Sequence, residues 1–279
     1  MEKEIKLGDT VINLSVPLVM GILNVTPDSF YDGGKYMSEV KAIERIHRLM
    51  EEGADIIDVG ACSTRPGAAF VDEKEELARL SWGVELVRKY YPHAVVSVDT
   101  FRARVAEEIA SCLGPVIVND ISGGTMDEGM FDFMAKSGLP YILMHIQGTP
   151  QTMQQNPVYT DVVADIQDFF VERIGRLNAL GFDNLILDPG FGFGKTLDHN
   201  YELMNRMEVL QELGYPLLVG ISRKSMICRL LECTPSEALN GTTVLNTYAL
   251  LKGAKILRVH DVKEAKEAVR IVRKLNGQE

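Results

Sequence analysis

Cysteine is scarce: Cys62, Cys112, Cys228 and Cys233 are the only four in 279 residues, and none forms a C-x-x-C pair. Cys228 and Cys233 stand five apart without a matching His or Cys pair, so reduced thiols are expected, and neither a zinc site nor a disulfide framework. No apolar stretch has the length of a membrane span. Met1–Asp9 is charged and lacks the apolar core of a secretory signal, so a cytoplasmic protein is expected. Basic charge is short as well. Lys and Arg number 29 against 39 Asp and Glu, a formal net charge of −10, which argues against a nucleic-acid partner or a membrane surface. A polyanionic ligand would need a local basic cluster working against that background. There is no composition shift, Ser/Gly-rich linker or low-complexity tract, so residues 1–279 read as one domain.

Eight short apolar runs are present: Leu18–Leu23, Ile56–Val59, Val95–Val98, Val116–Val118, Tyr141–Met144, Leu185–Leu187, Leu217–Ile221 and Ile256–Val259. They end on Asn24, Gly60, Asp99, Asn119-Asp120, His145, Asp188, Ser222–Lys224 and His260, and helix-like stretches follow. Continuous apolar runs are the mark of strands covered on both faces, and their alternation with helices implies right-handed parallel crossovers. Eight such units close a (β/α)8 TIM barrel of about 250 residues, with the active site at the C-terminal strand ends. The scattered terminators are therefore expected to meet at one rim. Ile5–Leu14, split at Gly8-Asp9, reads as an N-terminal β-hairpin within an extension of residues 1–15, covering the barrel bottom. Ser38 is placed to cap a helix bearing Val40, Ile43, Ile46 and Met50, and Asp261 with Glu264 gives a capping-box-like start to the last helix. Two connections, Val25–Tyr36 and Ala61–Phe70, are long and carry Gly and Pro beside Phe30, Arg65 and Phe70. That composition suits lids that close over a ligand.

The segment Asp188–Lys195 (DPGFGFGK) invites a phosphate-loop reading, but Pro189 stands where that loop needs a glycine and lacks the N–H that would cradle phosphate. Its glycines suit close approach to a flat ligand. Asp188 suits a bidentate grip on an amidine-like edge such as that of a 2-aminopyrimidinone, with a helix cap or turn an equal alternative. Asp99 and Asn119 supply the carboxylate and amide that read alternating donors and acceptors. Asp99 can also stabilise positive charge on an electrophile, although Asp99-Thr100 could instead cap a helix over Phe101–Cys112. Asp120, ahead of Ser122-Gly123-Gly124, reads as a turn residue. Arg258 and His260 share a face of the last strand and, in a closed barrel, border Asn24 on the first. That rim suits a phosphate group, with Asn24 a carbonyl-oxygen ligand for Mg2+ on the same anion. Lys224 enters the mouth with Ser225 behind it, whereas Arg223 reads as a solvated turn, and His47 and His93 as packing or surface residues.

Taken in order, Gly21–Phe30 (GILNVTPDSF), Ser63–Ala68 (STRPGA), Ser97–Thr100 (SVDT), Asn119–Gly124 (NDISGG), Met144-His145 with Gly148–Pro150, Leu187–Lys195 (LDPGFGFGK), Ser222–Ser225 (SRKS) and Arg258–His260 (RVH) resemble the motifs of the dihydropteroate synthase family almost from end to end. Together they are highly specific, although any one alone would be weak. Two departures stand out: Cys62 replaces a usual polar residue and Cys228 a common glycine. The resemblance implies condensation of 6-hydroxymethyl-7,8-dihydropterin pyrophosphate with p-aminobenzoate to give 7,8-dihydropteroate and pyrophosphate, in a sulfonamide-target family of homodimers. It implies that Asp99, Asn119, Asp188, Lys224 and Arg258 hold the pterin, and that Asn24, Arg258 and His260 hold the pyrophosphate with Mg2+. The aminobenzoate pocket would be Phe30, Thr64, Arg65, Pro66, Phe193, Lys224 and Ser225. Asp99, Lys224 and Arg258 would carry the chemistry. The alternatives are a pterin-binding methyltetrahydrofolate methyltransferase, against which Ser63–Ala68 and Arg258/His260 speak, and a non-catalytic pterin-binding homologue, against which the retained Asn24, Arg65, Lys224 and Arg258 speak.

Overall fold

The computed structural model describes residues 4–25, 35–61, 71–149, 152–153, 155 and 157–278, with backbone only for 35–38. The apolar runs become β3 (Leu18–Asn24), β4 (Ile56–Gly60), β5 (Val95–Asp99), β6 (Ile117–Asp120), β7 (Tyr141–Met144), β8 (Leu185–Asp188), β9 (Leu218–Val219) and β10 (Ile256–Val259), after a hairpin of β1 (Ile5–Leu7) and β2 (Thr10–Ile12). The eight are parallel, in the order β8-β7-β6-β5-β4-β3-β10-β9. A bridge from Leu187 to Leu217, beside the Leu187 N–H to Pro216 carbonyl bond of 2.9 Å, brings β8 against β9. The architecture is the expected TIM barrel. The seventh barrel strand is shorter than its apolar run: only Leu218 and Val219 pair with β10. Pro216, which has no N–H to give the ladder, precedes it.

Helices cover the outside: α1 (Lys35–Glu51), α2 (Glu73–Tyr90), α3 (Ala103–Leu113), α4 (Met130–Ser137), α5 (Val162–Ala179), α6 (Leu197–Arg206) with a 3-10 turn at Met207–Leu213, α7 (Ser225–Leu231), α8 (Leu239–Leu251) and α9 (Val262–Leu275). Ile46 and Leu49 of α1 are buried, as are Val262, Ala265, Ala268, Val269 and Val272 of α9, so the apolar stripes face the sheet. Two expected caps differ. Helix α1 begins at Lys35, which puts Ser38 inside it. Asp261 makes no side-chain cap to α9, because both its oxygens are taken by Arg223 at 2.7 and 2.9 Å. Arg223 is consequently a half-buried ion pair rather than a solvated turn. The hairpin lies at the bottom: Asn184, ahead of β8, bonds both the N–H and the carbonyl of Lys6, and Ile5, Leu7 and Ile12 are buried.

Register then decides what faces the interior, since aligned residues of neighbouring strands share a face. One rung runs Asn24, Gly60, Asp99, Asn119 across β3 to β6. The rung below runs Ile22, Asp58, Ser97, Ile117. Met144 of β7 aligns with Asp188 of β8.

Candidate active site

A polar upper rung is stable only where its groups pair with one another or with a ligand. Arg258 of β10 reaches across the mouth. Its Nε donates to Asp58 Oδ2 at 2.7 Å, and its Nη2 lies 2.6 Å from Asp58 Oδ2 and 3.0 Å from Asp99 Oδ2. Asn119 points its Nδ2 at both oxygens of Asp58, 3.3 and 3.4 Å away. Asp188 accepts the Gly190 N–H at 2.8 Å through Oδ1. Lys224 stands opposite, donating to the Phe191 carbonyl at 2.6 Å with its ammonium 4.6 Å from the Phe193 ring centre. Where the ends of β9 and β10 meet, His260 Nδ1 lies 3.0 Å from Ser222 Oγ, and Ser222 Oγ also accepts the His260 N–H. Gly60 stands between Asn24 and Asp99: a Cβ there would be in ordinary contact, 3.4 Å from Asn24 Oδ1 and 3.8 Å from Asp99 Oδ2. Asn24, Asp99, Asn119, Asp188, Lys224, Arg258 and His260 thus occupy one mouth, as the barrel reading required.

Burial sets the protonation. Asp99 is pushed up to about 7 by burial, with Asp58, Asp120 and Asp188 adding to the shift and Arg258 opposing it. Burial likewise raises Asp188, against the pull of Lys224 and the Gly190 N–H. Lys224 falls to about 8 because it is buried, Asp188 limiting the drop. His260 drops to about 4 through burial and the neighbouring Arg258 cation, so at neutral pH its ring is uncharged. Arg258 goes the other way: burial would lower it, but Asp58, Asp99 and Asp188 more than offset that.

The alternative roles resolve on neighbours. Ala103 N–H at the start of α3 is capped by Asp127 at 2.8 Å, which leaves Asp99 to the mouth. Asp120 organises a turn, accepting from the Ser122 and Gly124 N–H groups and from the Tyr141 hydroxyl. His47 bonds the Tyr91 hydroxyl on the outer helices. Phe193 is buried in a small cluster with Ile121, Met144, Ile146 and Met153, and Ser225 opens α7 at the surface. Phe30, Thr64, Arg65, Pro66 and Cys62 lie outside the described residues.

Two buried groups carry parts of the site that no strand terminator announced. Asp58, fully buried in the middle of β4, grips both Arg258 and Asn119. A charged residue inside a strand covered on both faces was the available signal. Lys195 is buried under the Asp188–Lys195 loop, its Nζ 2.9 Å from His145 Nδ1 and donating to the Gly190 and Phe193 carbonyls at 2.8 and 3.1 Å. Burial and the adjacent Lys195 hold His145 well below the usual histidine range, so a neutral imidazole accepts there. Gly190 closes the turn with φ +69, where a Cβ would overlap the His145 carbonyl.

A family model described as pterin binding enzyme matches residues 20–260. The dihydropteroate synthase of Escherichia coli (strain K12) is 48% identical over 265 residues, spanning 94% of this chain and 93% of its own. The chain belongs to the dihydropteroate synthase family. The crystal structure of the Yersinia pestis dihydropteroate synthase with a sulfonamide drug complex superposes with a TM-score of 0.91 at 44% identity, covering 99% of this chain and all of that one. The Xanthomonas albilineans dihydropteroate synthase in complex with 7,8-dihydropteroate superposes with a TM-score of 0.85 at 35% identity, over 98% and 99% of the two chains. Membership accounts for the order of motifs along the chain, and the methyltransferase and non-catalytic alternatives gain nothing from these matches. No helix among the described residues is long and apolar enough to cross a membrane.

Proposed function

We propose that this chain, as a single TIM-barrel domain, joins 6-hydroxymethyl-7,8-dihydropterin pyrophosphate to p-aminobenzoate, releasing pyrophosphate and 7,8-dihydropteroate. The observation that carries the assignment of residues is the convergence of Asp99, Asn119, Asp188, Lys224 and Arg258 on one buried mouth, a set that presents carboxylate, amide and cations to a fused ring. Asp188 Oδ2, without a hydrogen-bond donor among the described residues, suits the ring's amino and N–H edge. Arg258, neutral His260 and Asn24 suit the diphosphate at the β3–β10 seam. Phe193 and Lys224, with Ser225, suit the aminobenzoate, completed by Phe30, Thr64, Arg65 and Pro66.

Substitution at the methylene is dissociative in this reading. The C–O bond to pyrophosphate breaks with both electrons leaving on oxygen, and the electron-rich ring spreads the positive charge left behind. The Asp99 carboxylate, at the end of β5 beside Arg258, suits stabilisation of that cation. The aniline nitrogen then forms the C–N bond and gives up a proton to the departing pyrophosphate or to solvent. An amine of low basicity needs no strong general base, in keeping with the absence of a nucleophilic triad from the sequence.

Asn24 offers one neutral oxygen at the rim, and the described residues contain no cluster of three His, Cys, Asp or Glu able to hold an ion by themselves. That donor set fits Mg2+, which keeps waters and binds through substrate phosphates. When bound, Mg2+ would neutralise charge on the departing pyrophosphate. A cytoplasmic homodimer completes the proposal.

The test is pyrophosphate release with purified protein. Release that needs both substrates and Mg2+ supports the proposal. No release with both substrates and Mg2+ present, or release without formation of 7,8-dihydropteroate, rejects it.

A further inference from the structure

Asp58 is invisible to a ligand seated at the rim, because it lies one rung below Asp99 and is fully buried. It nevertheless holds two of the groups that face such a ligand. Arg258 spends Nε and Nη2 on Asp58 and Asp99, which fixes the plane of its guanidinium and leaves Nη1 as the edge with no acceptor among the described residues. Asn119 is oriented by the same carboxylate. A carboxylate only accepts hydrogen bonds, so the amide must turn its NH2 toward Asp58 and its carbonyl oxygen toward the mouth. An amide alone has no preferred sense, and its neighbour decides which end it shows.

We infer that Asp58 is a positioning and specificity-determining residue: by holding Asn119 with its oxygen outward it selects a ring that presents a donor there, and by gripping Arg258 it aims the guanidinium. The inference rests on the pterin reading of the site. Asp58 makes no contact with ligand in this scheme and acts through Asn119 and Arg258.

Asp58→Asn keeps size and shape but replaces one acceptor by a donor. The new carboxamide oxygen stays with Arg258, and its NH2 faces Asn119, which flips to show its own NH2 to the mouth. The Asp58→Asn/Asn119→Asp double variant exchanges the two groups and restores the donor–acceptor count, with a carboxylate oxygen again outward at position 119.

Titration calorimetry with 6-hydroxymethylpterin and with its 2-oxo analogue, in which an acceptor replaces the amino donor, reads this directly. The ring's amino group has two N–H bonds, one beside the ring N–H for Asp188 and the second for the Asn119 oxygen, so wild type is expected to prefer the pterin. In Asp58→Asn, pterin affinity falls at least tenfold and the preference over the 2-oxo ring narrows by at least tenfold, while KM for p-aminobenzoate stays within about twofold. The double variant recovers most of the pterin affinity. A purely structural role would weaken both rings equally and show no recovery, and that result overturns the inference. If Asp58→Asn does not fold, the double variant carries the same comparison; failure of both to fold makes Asp58 a stability residue and also overturns it. Wild-type protein that binds neither ring would instead reject the pterin reading itself.

Discussion

Asp188 is buried and accepts one backbone N–H through Oδ1, and its Oδ2 has no hydrogen-bond donor among the described residues. Truncating it removes a bidentate partner from a desolvated pocket, a loss on the order of 2–5 kcal/mol. Asp188→Ala is therefore expected to abolish measurable pterin binding in calorimetry, and unchanged affinity would reject its role. The titrations of Asp99 and Lys224 bracket neutrality. Asp99 must be a carboxylate to stabilise a cation, so activity rises as pH passes about 7. Lys224 must keep its proton to donate, so activity falls as pH passes about 8. The profile of kcat/KM for the pterin diphosphate is thus expected to be a narrow bell with limbs near those values, since that ratio reports the free enzyme. Asp99→Asn should erase the acidic limb along with most of the rate. Asn24, Asp99, Asn119, Asp188, Lys224, Arg258 and His260 were legible because each interrupts or follows an apolar run at a strand end. Asp58 was not, because it sits inside a run whose neighbours Ile56, Ile57 and Val59 read as uniform core.

The Asp188–Lys195 loop behaves as a structural element with a buried clasp. Lys195 satisfies the Gly190 and Phe193 carbonyls, and Asn200 of α6 accepts the Gly192 N–H at 2.7 Å. Lys195→Met fills the same volume but removes the donor to the Phe193 carbonyl and leaves the Gly190 carbonyl with the Phe193 N–H alone, at a cost of about 1–3 kcal/mol. Urea denaturation should register the loss. KM for p-aminobenzoate should rise at the same time, because Phe193 is released from its place beside Lys224. A stability loss with unchanged KM would confine Lys195 to folding. The glycine pattern of this loop was legible, as was the reason it is no phosphate cradle. The destination of Lys195 was not, because its partner His145 lies fifty residues away on another strand's end. The Asp261 cap fails for a related reason: Asp261 had a local role open to it, and the distant Arg223 took it.

Across the whole barrel, the site is bought with stability. Asp99 has its folded pKa raised to about 7 from an ordinary carboxylate value. By linkage its favourable contribution is complete only below the unfolded pKa and is lost as pH rises through about 7. Asp99→Asn is expected to raise the unfolding free energy at pH 8 by on the order of 1–3 kcal/mol. The gain should shrink at pH 5, where the native carboxyl is already protonated. Urea melts at the two pH values check this; a variant less stable than the parent at pH 8 would show that the Arg258 pair outweighs burial.

The barrel follows from the order of residues alone, since apolar runs of strand length alternating with helix-like stretches leave few other ways to bury both faces of a parallel sheet. That order also determined which residues end those strands, and it carried the family resemblance. What each end group faces depends on how the strands pack. Hydrogen-bond partners such as Arg258 and Asp58 are 200 positions apart and meet only when β10 closes against β3. Orientation and protonation depend on such meetings, because burial and charged neighbours act over a few ångströms of space rather than along the chain.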